Sequence, residues 1–253
     1  MKAFEIAQII ERFAPLETAA EWDNTGFCLG SPQQEVKAVL VGFDCTPALV
    51  REAVRRGADM IVTHHPLIFR GIKKILPDTF LGEIISLAIK HDIVVYSAHT
   101  NADKALGGVN TLMAERLGLL DCSVLSEDGF GLVGRLPKAM PAEEFVAFVK
   151  KQFSLQVVRS SSLTDKPIEK VALCSGSGGS LIPEALASGA DAYICGDVSY
   201  HQFFTEKDFL LLDIGHFESE IDIVDKLISV LEEKNSTFAV LRTETDYNPI
   251  HYF

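Results

Sequence analysis

The chain has 253 residues, a formal net charge of −12 and 47% hydrophobic residues. This length fits one large domain or two small ones with a sizeable core. The acidic balance argues against nucleic acid and membrane surfaces as partners, and no run of about 18 apolar residues predicts a membrane span. Five scattered cysteines and the lack of a signal peptide lead us to expect a cytoplasmic protein with reduced thiols.

Helices and strands are predicted to alternate along the first half of the chain. In chain order we expect a helix over Lys2–Ala14, a strand over Val36–Phe43, a helix from Pro47 to Gly57, a strand over Met60–Thr63, a helix over Thr79–Lys90, a strand over Ile93–Ala98 and a helix from Gly107 to just before Gly118. Such alternation is typical of a parallel sheet.

The second half begins with a region, Ser123–Lys170, that is richer in turn residues. Apolar spacing predicts four further elements: a helix over Pro141–Gln152, a strand over Leu155–Arg159, a helix over Ser219–Lys234 and a strand over Thr237–Thr243. The last strand could belong to either half of the chain.

The two halves resemble each other. Gly57-Ala58-Asp59 recurs as Gly189-Ala190-Asp191, 132 residues later (189 minus 57), and both copies read strand, loop, helix, Gly-Ala-Asp, strand. We interpret the fold as α/β, with two similar lobes over 1–123 and 124–253 that a degenerate internal duplication relates, and with a metal site in the cleft between them. The alternative is the patterning that any two α/β units share.

Three predicted strands end at or near a histidine, where sites gather in open α/β sheets. His216 and Glu220 share one helix face because they are four residues apart; a satisfied core histidine beside a capping acid is the alternative. His64 and His65 follow a strand and precede Pro66, so a bend in the backbone would let them serve two metals. An accidental histidine pair in a loop is the alternative.

The third such strand ends before His99 and Asp103, and the spacing His-x-x-x-Asp matches His-x-x-x-Glu at His216 and Glu220. Asp103 would supply a carboxylate ligand. His99 would be either a ligand or a group that orients one.

Together, the three histidine segments predict a centre with nitrogen and oxygen ligands, which suits Zn, Mn, Fe, Co or Ni without selecting among them. Glu220 is the candidate to bridge two ions, between which a water would be activated for hydrolysis. His99 and His201 are candidates for proton transfer.

Three other segments are ambiguous. The run from Ser175 to Ser180 is either a phosphate-binding loop or a plain turn. Asp197 and His201 either line the cleft or belong to an ordinary turn. The loop around Trp22, which is the only tryptophan, either covers the site or only packs.

Five motifs follow one another along nearly the whole chain: Trp22-Asp23-Asn24-Thr25-Gly26, Thr63-His64-His65-Pro66-Leu67-Ile68-Phe69, His99-Thr100-Asn101-Ala102-Asp103, Gly196-Asp197-Val198 with His201, and Gly215-His216-Phe217-Glu218-Ser219-Glu220. As a set they resemble the Nif-three-like proteins, which are also described as GTP cyclohydrolase I type 2 homologues.

The resemblance implies a dinuclear site with the ligands His64, His65, Asp103, His216 and Glu220. Glu220 would be the bridge, and Asp103 would serve one ion. It also implies a ring-shaped homohexamer, and the short middle segment indicates the form of the family without an inserted domain.

Two hypotheses for function follow. The first is a hydrolase that depends on two divalent transition-metal ions and acts on a nucleotide or related small molecule, similar to a GTP cyclohydrolase. The second is a metal-binding scaffold or regulatory assembly protein without turnover.

Overall fold

The computed structural model describes residues 1–233, 237–245 and 247–253, and contacts divide the chain into two units. Unit 1 comprises Met1–Ala105 and Ile223–Tyr247, and unit 2 comprises Leu106–Asp222 and Asn248–Phe253. The expected boundary after residue 123 differs from this division. Strand Leu120–Val124 pairs with the strand that follows it, which brings the segment before residue 123 into unit 2.

Unit 1 is an α/β unit with a mostly parallel sheet. Its described strands are β1 (Gly26–Leu29), β2 (Ala38–Gly42), β3 (Met60–Thr63), β4 (Val94–Ser97) and β11 (Ala239–Arg242). Its described helices are α1 (Ala3–Phe13), α2 (Pro47–Arg56), α3 (Phe80–Lys90), α4 (Thr100–Lys104) and α9 (Asp222–Glu233). Helix α9 begins at Asp222, which is the last residue of the first segment of unit 2. The strand order is β1-β4-β3-β2-β11. Only β1 runs antiparallel to its neighbour among these described strands.

Helix α2 illustrates how the sequence determines local structure in unit 1. The Thr46 side chain accepts a hydrogen bond from the backbone N–H of Leu49, Pro47 occupies the first turn, and Gly57 ends the helix with a φ of 68°. A left-handed residue at this position favours glycine, which lacks the Cβ that other residues must accommodate. The buried side of α2 packs in a cluster with Leu40, Ile61 and Val95 of the sheet.

Unit 2 has a mixed sheet, with parallel and antiparallel strands. Its described strands are β5 (Leu120–Val124), β6 (Leu132–Met140), β7 (Arg159–Ser160), β8 (Ile168–Leu173), β9 (Ala192–Cys195) and β10 (Leu210–Asp213), and its helices are α5 (Val109–Leu117), α6 (Ala142–Gln152), α7 (Ile182–Ala187) and α8 (His216–Glu220). The strand order is β5-β6-β8-β9-β10-β7. Strands β8, β9 and β10 are parallel, whereas β5, β6 and β7 pair antiparallel.

The same strand pairing occurs in both units at the spacing that the sequence suggests. Val39 pairs with Met60 in unit 1, and Val171 pairs with Ala192 in unit 2. An aspartate precedes the second strand in each unit: Asp59 accepts backbone hydrogen bonds from residues 37 and 38, and Asp191 from residues 169 and 170. This repeated hydrogen bonding supports the internal duplication.

The strand register corrects one expected equivalence between the two histidine motifs. Ser97 pairs with Thr63 in unit 1, and Asp213 pairs with Cys195 at the equivalent position of unit 2. Counting on from these pairs, His99 is equivalent to Gly215, and each is the residue that precedes its helix. His216 therefore lies one position beyond the residue equivalent to His99. The two motifs have the same internal spacing, but they begin at different distances from the strand that precedes them.

Two predicted elements differ from the structure by more than a few residues or by a break, and the structure also places the last strand. Of the strand expected over Leu155–Arg159, only Arg159 lies in a strand, because β7 pairs with β10 at two residues. The helix expected over Ser219–Lys234 starts earlier and is divided into α8 and α9 at Ile221; its last residue, Lys234, lies outside the described residues. Strand β11 pairs in parallel with β2, so the last strand lies in the sheet of unit 1.

Candidate metal centre

In unit 1, His64 is the first residue after β3, and it is fully buried. The backbone N–H groups of His64 and His65 both donate to the carbonyl oxygen of Phe43, which turns the chain as it leaves the strand. The two imidazole rings are 4.9 Å apart, centroid to centroid. The ring of Phe43 stacks on that of His64 at 5.8 Å. The bend expected after this strand is therefore present, and it brings both rings together.

Three histidines of unit 1, His64, His65 and His99, are each held through the Nδ1 atom. His64 Nδ1 lies 2.8 Å from the carbonyl oxygen of Ala98, His65 Nδ1 lies 2.8 Å from Asp44 Oδ1, and His99 Nδ1 lies 2.9 Å from Asp23 Oδ1. A carbonyl or carboxylate oxygen can only accept, so Nδ1 carries the proton in each ring.

When such a ring is neutral, Nε2 is the nitrogen that could bind a metal. This is the arrangement that metal-binding histidines commonly have.

His64, His65 and His99 form a compact donor group in unit 1. Nitrogen atoms of His64, His65 and His99 all lie within 4.8 Å of one another. Asp103 on α4 adds a carboxylate, with its Oδ1 atom 3.6 Å from His64 Nε2. Asp103 is 9% exposed, so this carboxylate is largely shielded from water. The position of His99 leaves open whether it binds metal or orients a ligand.

Asp23 supports His99 from the loop that follows the first helix. Its Oδ2 atom accepts from the backbone N–H and the hydroxyl of Thr100, at 3.1 and 2.5 Å. Burial on its own would raise the pKa of Asp23, but the hydrogen bonds from His99 and Thr100 outweigh it and lower the pKa to about 2. Asp23 is therefore ionised at neutral pH and able to hold the His99 ring in one orientation.

In unit 2, His216 and Glu220 lie on one face of α8, as predicted from their spacing. His216 Nε2 is 3.1 Å from Glu220 Oε2, and Glu220 is 4% exposed. His216 Nδ1 lies 2.7 Å from Asp197 Oδ2, which also accepts from the Ser177 hydroxyl at 2.6 Å. Burial raises the pKa of Asp197, but these two hydrogen bonds lower it further than burial raises it. Asp197 thus holds His216 as Asp44 holds His65.

The glycine-rich segment before α7 forms a wall against Glu220. The backbone N–H of Gly176 donates to Ser219 Oγ at 2.9 Å, and its carbonyl oxygen accepts from the N–H of Gly196. A Cβ at Gly176, which has a φ of 56°, would collide with Glu220 Oε1. This part of the Ser175–Ser180 run therefore allows the carboxylate to approach the backbone closely.

Two sequence-derived candidates lie differently from the others. His201 lies in an exposed 3-10 turn, Tyr200–Phe203, where its ring contacts those of Tyr200 and Phe204. The structure assigns it no link to the donor groups described above, and its role in proton transfer stays a prediction. Trp22 is 61% exposed, and its ring contacts those of Phe69 and His99.

Sequence reasoning missed Asp44 and Gly176 and did not assign a role to Asp23. Asp44 follows Phe43 directly after β2, so its place at a strand end was a usable signal. Gly176 had a weaker signal, because the run around it contains three glycines and any of them could have served a turn.

Among the helices of the described residues, none combines the length and the apolar character that a membrane span requires.

Comparisons with known proteins agree with the arrangement of motifs. The family model described as DUF34/NIF3 (NGG1p interacting factor 3) matches residues 1–249. A protein of Clostridium perfringens named GTP cyclohydrolase 1 type 2 homolog is 38% identical over 242 residues, covering 92% of each chain. One of the same name from Streptococcus pneumoniae is 36% identical over 265 residues, covering 100% of each.

Solved structures are also similar. A Bacillus cereus protein related to NIF3 matches with a TM-score of 0.91 at 24% identity, covering 100% of this chain and 99% of that one, which supports the fold alone. Reduced HcgD from Methanocaldococcus jannaschii matches with a TM-score of 0.84 at 30% identity, covering 96% and 98%. From the family match over nearly its whole length, this chain belongs to the DUF34/NIF3 family.

Proposed function

We propose that this protein is a hydrolase that depends on two divalent metal ions and acts on a nucleotide or related small molecule. The observation that carries the proposal is the contact that each histidine makes through its Nδ1 atom. His64, His65 and His216 each have Nδ1 held by an oxygen acceptor, an arrangement that metal-binding histidines commonly have, and Nε2 is the ring nitrogen that we propose binds metal. In two cases a carboxylate oxygen lies near that Nε2 atom.

The proposed ligands are His64, His65 and Asp103 of unit 1 and His216 and Glu220 of unit 2, with Glu220 bridging. Combining the two donor sets rests on the resemblance to the family and on chemistry. Each set alone offers nitrogen and carboxylate donors without sulfur, which suits Zn, Mn, Fe, Co or Ni.

Two bound ions would supply Lewis acidity and a water of lowered pKa. The chain's own residues would then hold the ions, orient the substrate and move protons.

His99 is the candidate for proton transfer in unit 1. Its Nδ1 atom is held by Asp23, so its Nε2 atom keeps one orientation. The substrate assignment follows the names of the relatives, which are called GTP cyclohydrolase 1 type 2 homologs. For GTP, the reaction would open the imidazole ring of guanine and release formate.

Metal content tests the proposal directly. Protein purified without a chelator or a histidine tag should carry about two transition-metal ions per chain, as a two-metal site requires. Glu220→Gln should lose metal, whereas Glu218→Gln on the same helix should keep it. No metal in the parent, and no tight uptake of Zn, Mn or Fe on titration, would refute the metal centre.

The joint nature of the centre needs a separate comparison. If the donor sets of both units serve one dinuclear centre, His64→Ala and His216→Ala should each weaken the binding of both ions. If each variant lost only one ion and left the other unaffected, two independent sites would replace the shared one. His91→Ala is the matched control, since His91 lies at the end of α3 and is not a proposed ligand.

Turnover is tested on the metal-loaded protein. We expect release of formate from GTP, or hydrolysis of a related substrate, that stops on chelation and in Glu220→Gln while the fold is retained. If metal is bound but a panel of nucleotides, phosphoesters and amides gives no turnover, the protein is a scaffold. Metal removal would then change its assembly or partner binding.

By the same resemblance we propose a homohexamer, which sedimentation of the intact protein would test.

A further inference from the structure

In unit 1, the rings of Trp22, Phe69 and His99 lie together, and we call these three residues the aromatic corner. The ring of His99 also lies near those of His64 and His65. The ring centroids of Trp22 and Phe69 are 5.9 Å apart, and those rings lie 6.4 and 6.3 Å from the ring of His99. All three pairs are near perpendicular, at 66 to 82°. Such edge contacts do not stack one ring face on another.

Much of the aromatic corner is open to solvent. Trp22 is 61% exposed and Phe69 is 48% exposed. A single exposed apolar side chain needs no explanation, but two large rings in contact beside a group of metal-donor histidines form a surface suited to a ligand. A flat heteroaromatic ring would find there both a face to stack on and an edge to abut.

The aromatic corner is held in place by hydrogen bonds rather than by burial. Asn24 Nδ2 donates to the carbonyl oxygen of Ile68 at 2.6 Å, which ties the Trp22 loop to the Phe69 loop. Asp23 joins the Trp22 loop to His99 and Thr100. These hydrogen bonds connect both loops to each other and to His99 without a ligand, and such connections reduce the entropy that binding would cost.

The chain beyond Phe69 carries a local excess of positive charge. Between His65 and Asp78 there are three basic side chains and no acidic one, in a protein of net charge −12. The three, Arg70, Lys73 and Lys74, are all exposed. A cation pair or triplet of this kind is often only a solvated surface, but here it begins one residue after an exposed ring. Aromatic rings that stack on the base and basic side chains that bind the phosphates are a combination found in nucleotide-binding sites.

We propose that unit 1 holds a nucleotide with its base stacked on one ring of the Trp22 and Phe69 pair and in edge contact with the other, while Arg70, Lys73 and Lys74 bind its phosphates. This proposal rests on the proposed function and deepens it, because it names a phosphorylated planar heterocycle as the substrate class. It also gives the loop around Trp22 the role of a base-binding surface.

Trp22 is itself the probe, since it is the only tryptophan in the chain. On the metal-loaded protein, GTP and guanosine should change the tryptophan fluorescence when they stack. Tripolyphosphate should leave the emission unchanged and compete with GTP. Binding of GTP detected by calorimetry without any change in emission would overturn the proposal, and so would a failure of GTP to bind.

Variants separate the base from the phosphates. Trp22→Leu and Phe69→Leu should each weaken GTP binding by about 5- to 150-fold, the range expected for losing one stacked ring. Phe80→Leu, which changes a phenylalanine that is 65% exposed at the start of α3, should leave binding unchanged. Equal affinity in all three variants would overturn the proposal. Because Trp22 and Phe69 are exposed, these variants are expected to fold.

The phosphate contacts have their own readout. Lys73→Gln combined with Lys74→Gln should weaken tripolyphosphate competition and reduce the salt dependence of GTP binding, while guanosine binding stays the same. Lys150→Gln with Lys151→Gln on α6 is the matched control. Unchanged competition by tripolyphosphate in the first double variant would remove these lysines from the site.

The failure of this proposal and the failure of the proposed function look different. Fluorescence changes that depend on Phe69, without any turnover of GTP, would keep the nucleotide site and reject nucleotide hydrolysis. Turnover of GTP that is indifferent to Trp22→Leu and Phe69→Leu would keep the hydrolase and reject the aromatic corner as its base-binding surface.

Discussion

The Nε2 atom of His216 lies 3.1 Å from Glu220 Oε2, one helical turn along α8. The Glu220 carboxylate is buried, and the backbone of Gly176 closes one side of it. Carboxylate and imidazole are thus placed together by three separate elements: the helix itself, the glycine-rich segment after β8, and Asp197 behind the histidine. Each of these can be tested by itself.

Gly176→Ala should destabilise the protein and release metal. The new Cβ would collide with Glu220 Oε1, and the φ of 56° adds backbone strain. Gly189→Ala is the matched control, because Gly189 has a φ of 72° but nothing within 4 Å of an added Cβ. That control should cost only the strain, about 1–2 kcal/mol.

Urea unfolding and metal analysis on both variants measure the difference. Equal loss of stability and equal metal content in Gly176→Ala and Gly189→Ala would mean that Glu220 does not depend on the close approach of Gly176.

Asp197→Asn should weaken metal binding by roughly 10-fold or more, since groups that hold a ligand histidine commonly contribute 10- to 100-fold. The charge that supports the His216 Nδ1 proton is removed, while Asn tolerates the left-handed φ of 53° that Asp197 adopts. Asp121→Asn is the control, because Asp121 has a φ of 52° and is exposed. Metal titration by calorimetry compares the two, and equal affinities would separate Asp197 from the centre.

Asp191→Asn should destabilise unit 2 at neutral pH, with an effect that fades in acid. Burial raises the pKa of Asp191, but the ion pair with Lys166 and the backbone N–H groups of Glu169 and Lys170 outweigh it and lower that pKa. A lowered folded-state pKa means that the stabilisation is complete above the unfolded value, about 3.9, and is lost as pH falls through the folded value.

The free energy of unfolding of the parent and of Asp191→Asn should therefore converge below about pH 4. Asp128→Asn, in an exposed turn, should differ little from the parent at any pH. A gap between the parent and Asp191→Asn that stays constant from neutral pH into acid would contradict the role given to the ionised carboxylate.

Glu52→Gln should loosen the segment that follows β11. Glu52 is 3% exposed, and it accepts from the Thr243 hydroxyl at 2.5 Å, from the backbone N–H of Glu244 at 3.1 Å and from Arg56 at 2.6 Å. Hydrogen bonds to a charged group are worth roughly 1.5–3 kcal/mol each, and an amide keeps only part of this. Hydrogen exchange at residues 243–245 should rise in this variant.

The exposed substitution Glu232→Gln on α9 is the control for charge removal, and it should leave exchange at residues 243–245 unchanged. If Glu52→Gln behaved in the same way as Glu232→Gln, pairing with β2 alone would hold the last strand.

Much of the local structure could be predicted from the sequence, because its signals are local. Thr46, Pro47 and Gly57 bracket α2, and short continuous apolar runs indicated β3, β4 and β10. The positions of His64, His99 and His216 just beyond strand ends were also predictable, because each follows a short apolar run.

Boundaries and pairing were less predictable. The turn-rich segment Ser123–Lys170 contains β6, which pairs antiparallel with β5 and β8. The partner of a strand cannot be predicted from the local sequence pattern of that strand. The offset between His99 and His216 is likewise a matter of register, because equal spacing within a motif does not fix its position relative to a strand.

The sequence by itself determined which residue types follow each strand, and so predicted the family and a nitrogen and oxygen donor set. Only the tertiary structure decided how those side chains are held. Asp44 lies 21 residues before His65, Asp23 lies 76 before His99, and Asp197 lies 19 before His216. These partners meet only when strands far apart in the chain pair. The orientation of each imidazole ring is therefore a property of the fold and not of its local sequence.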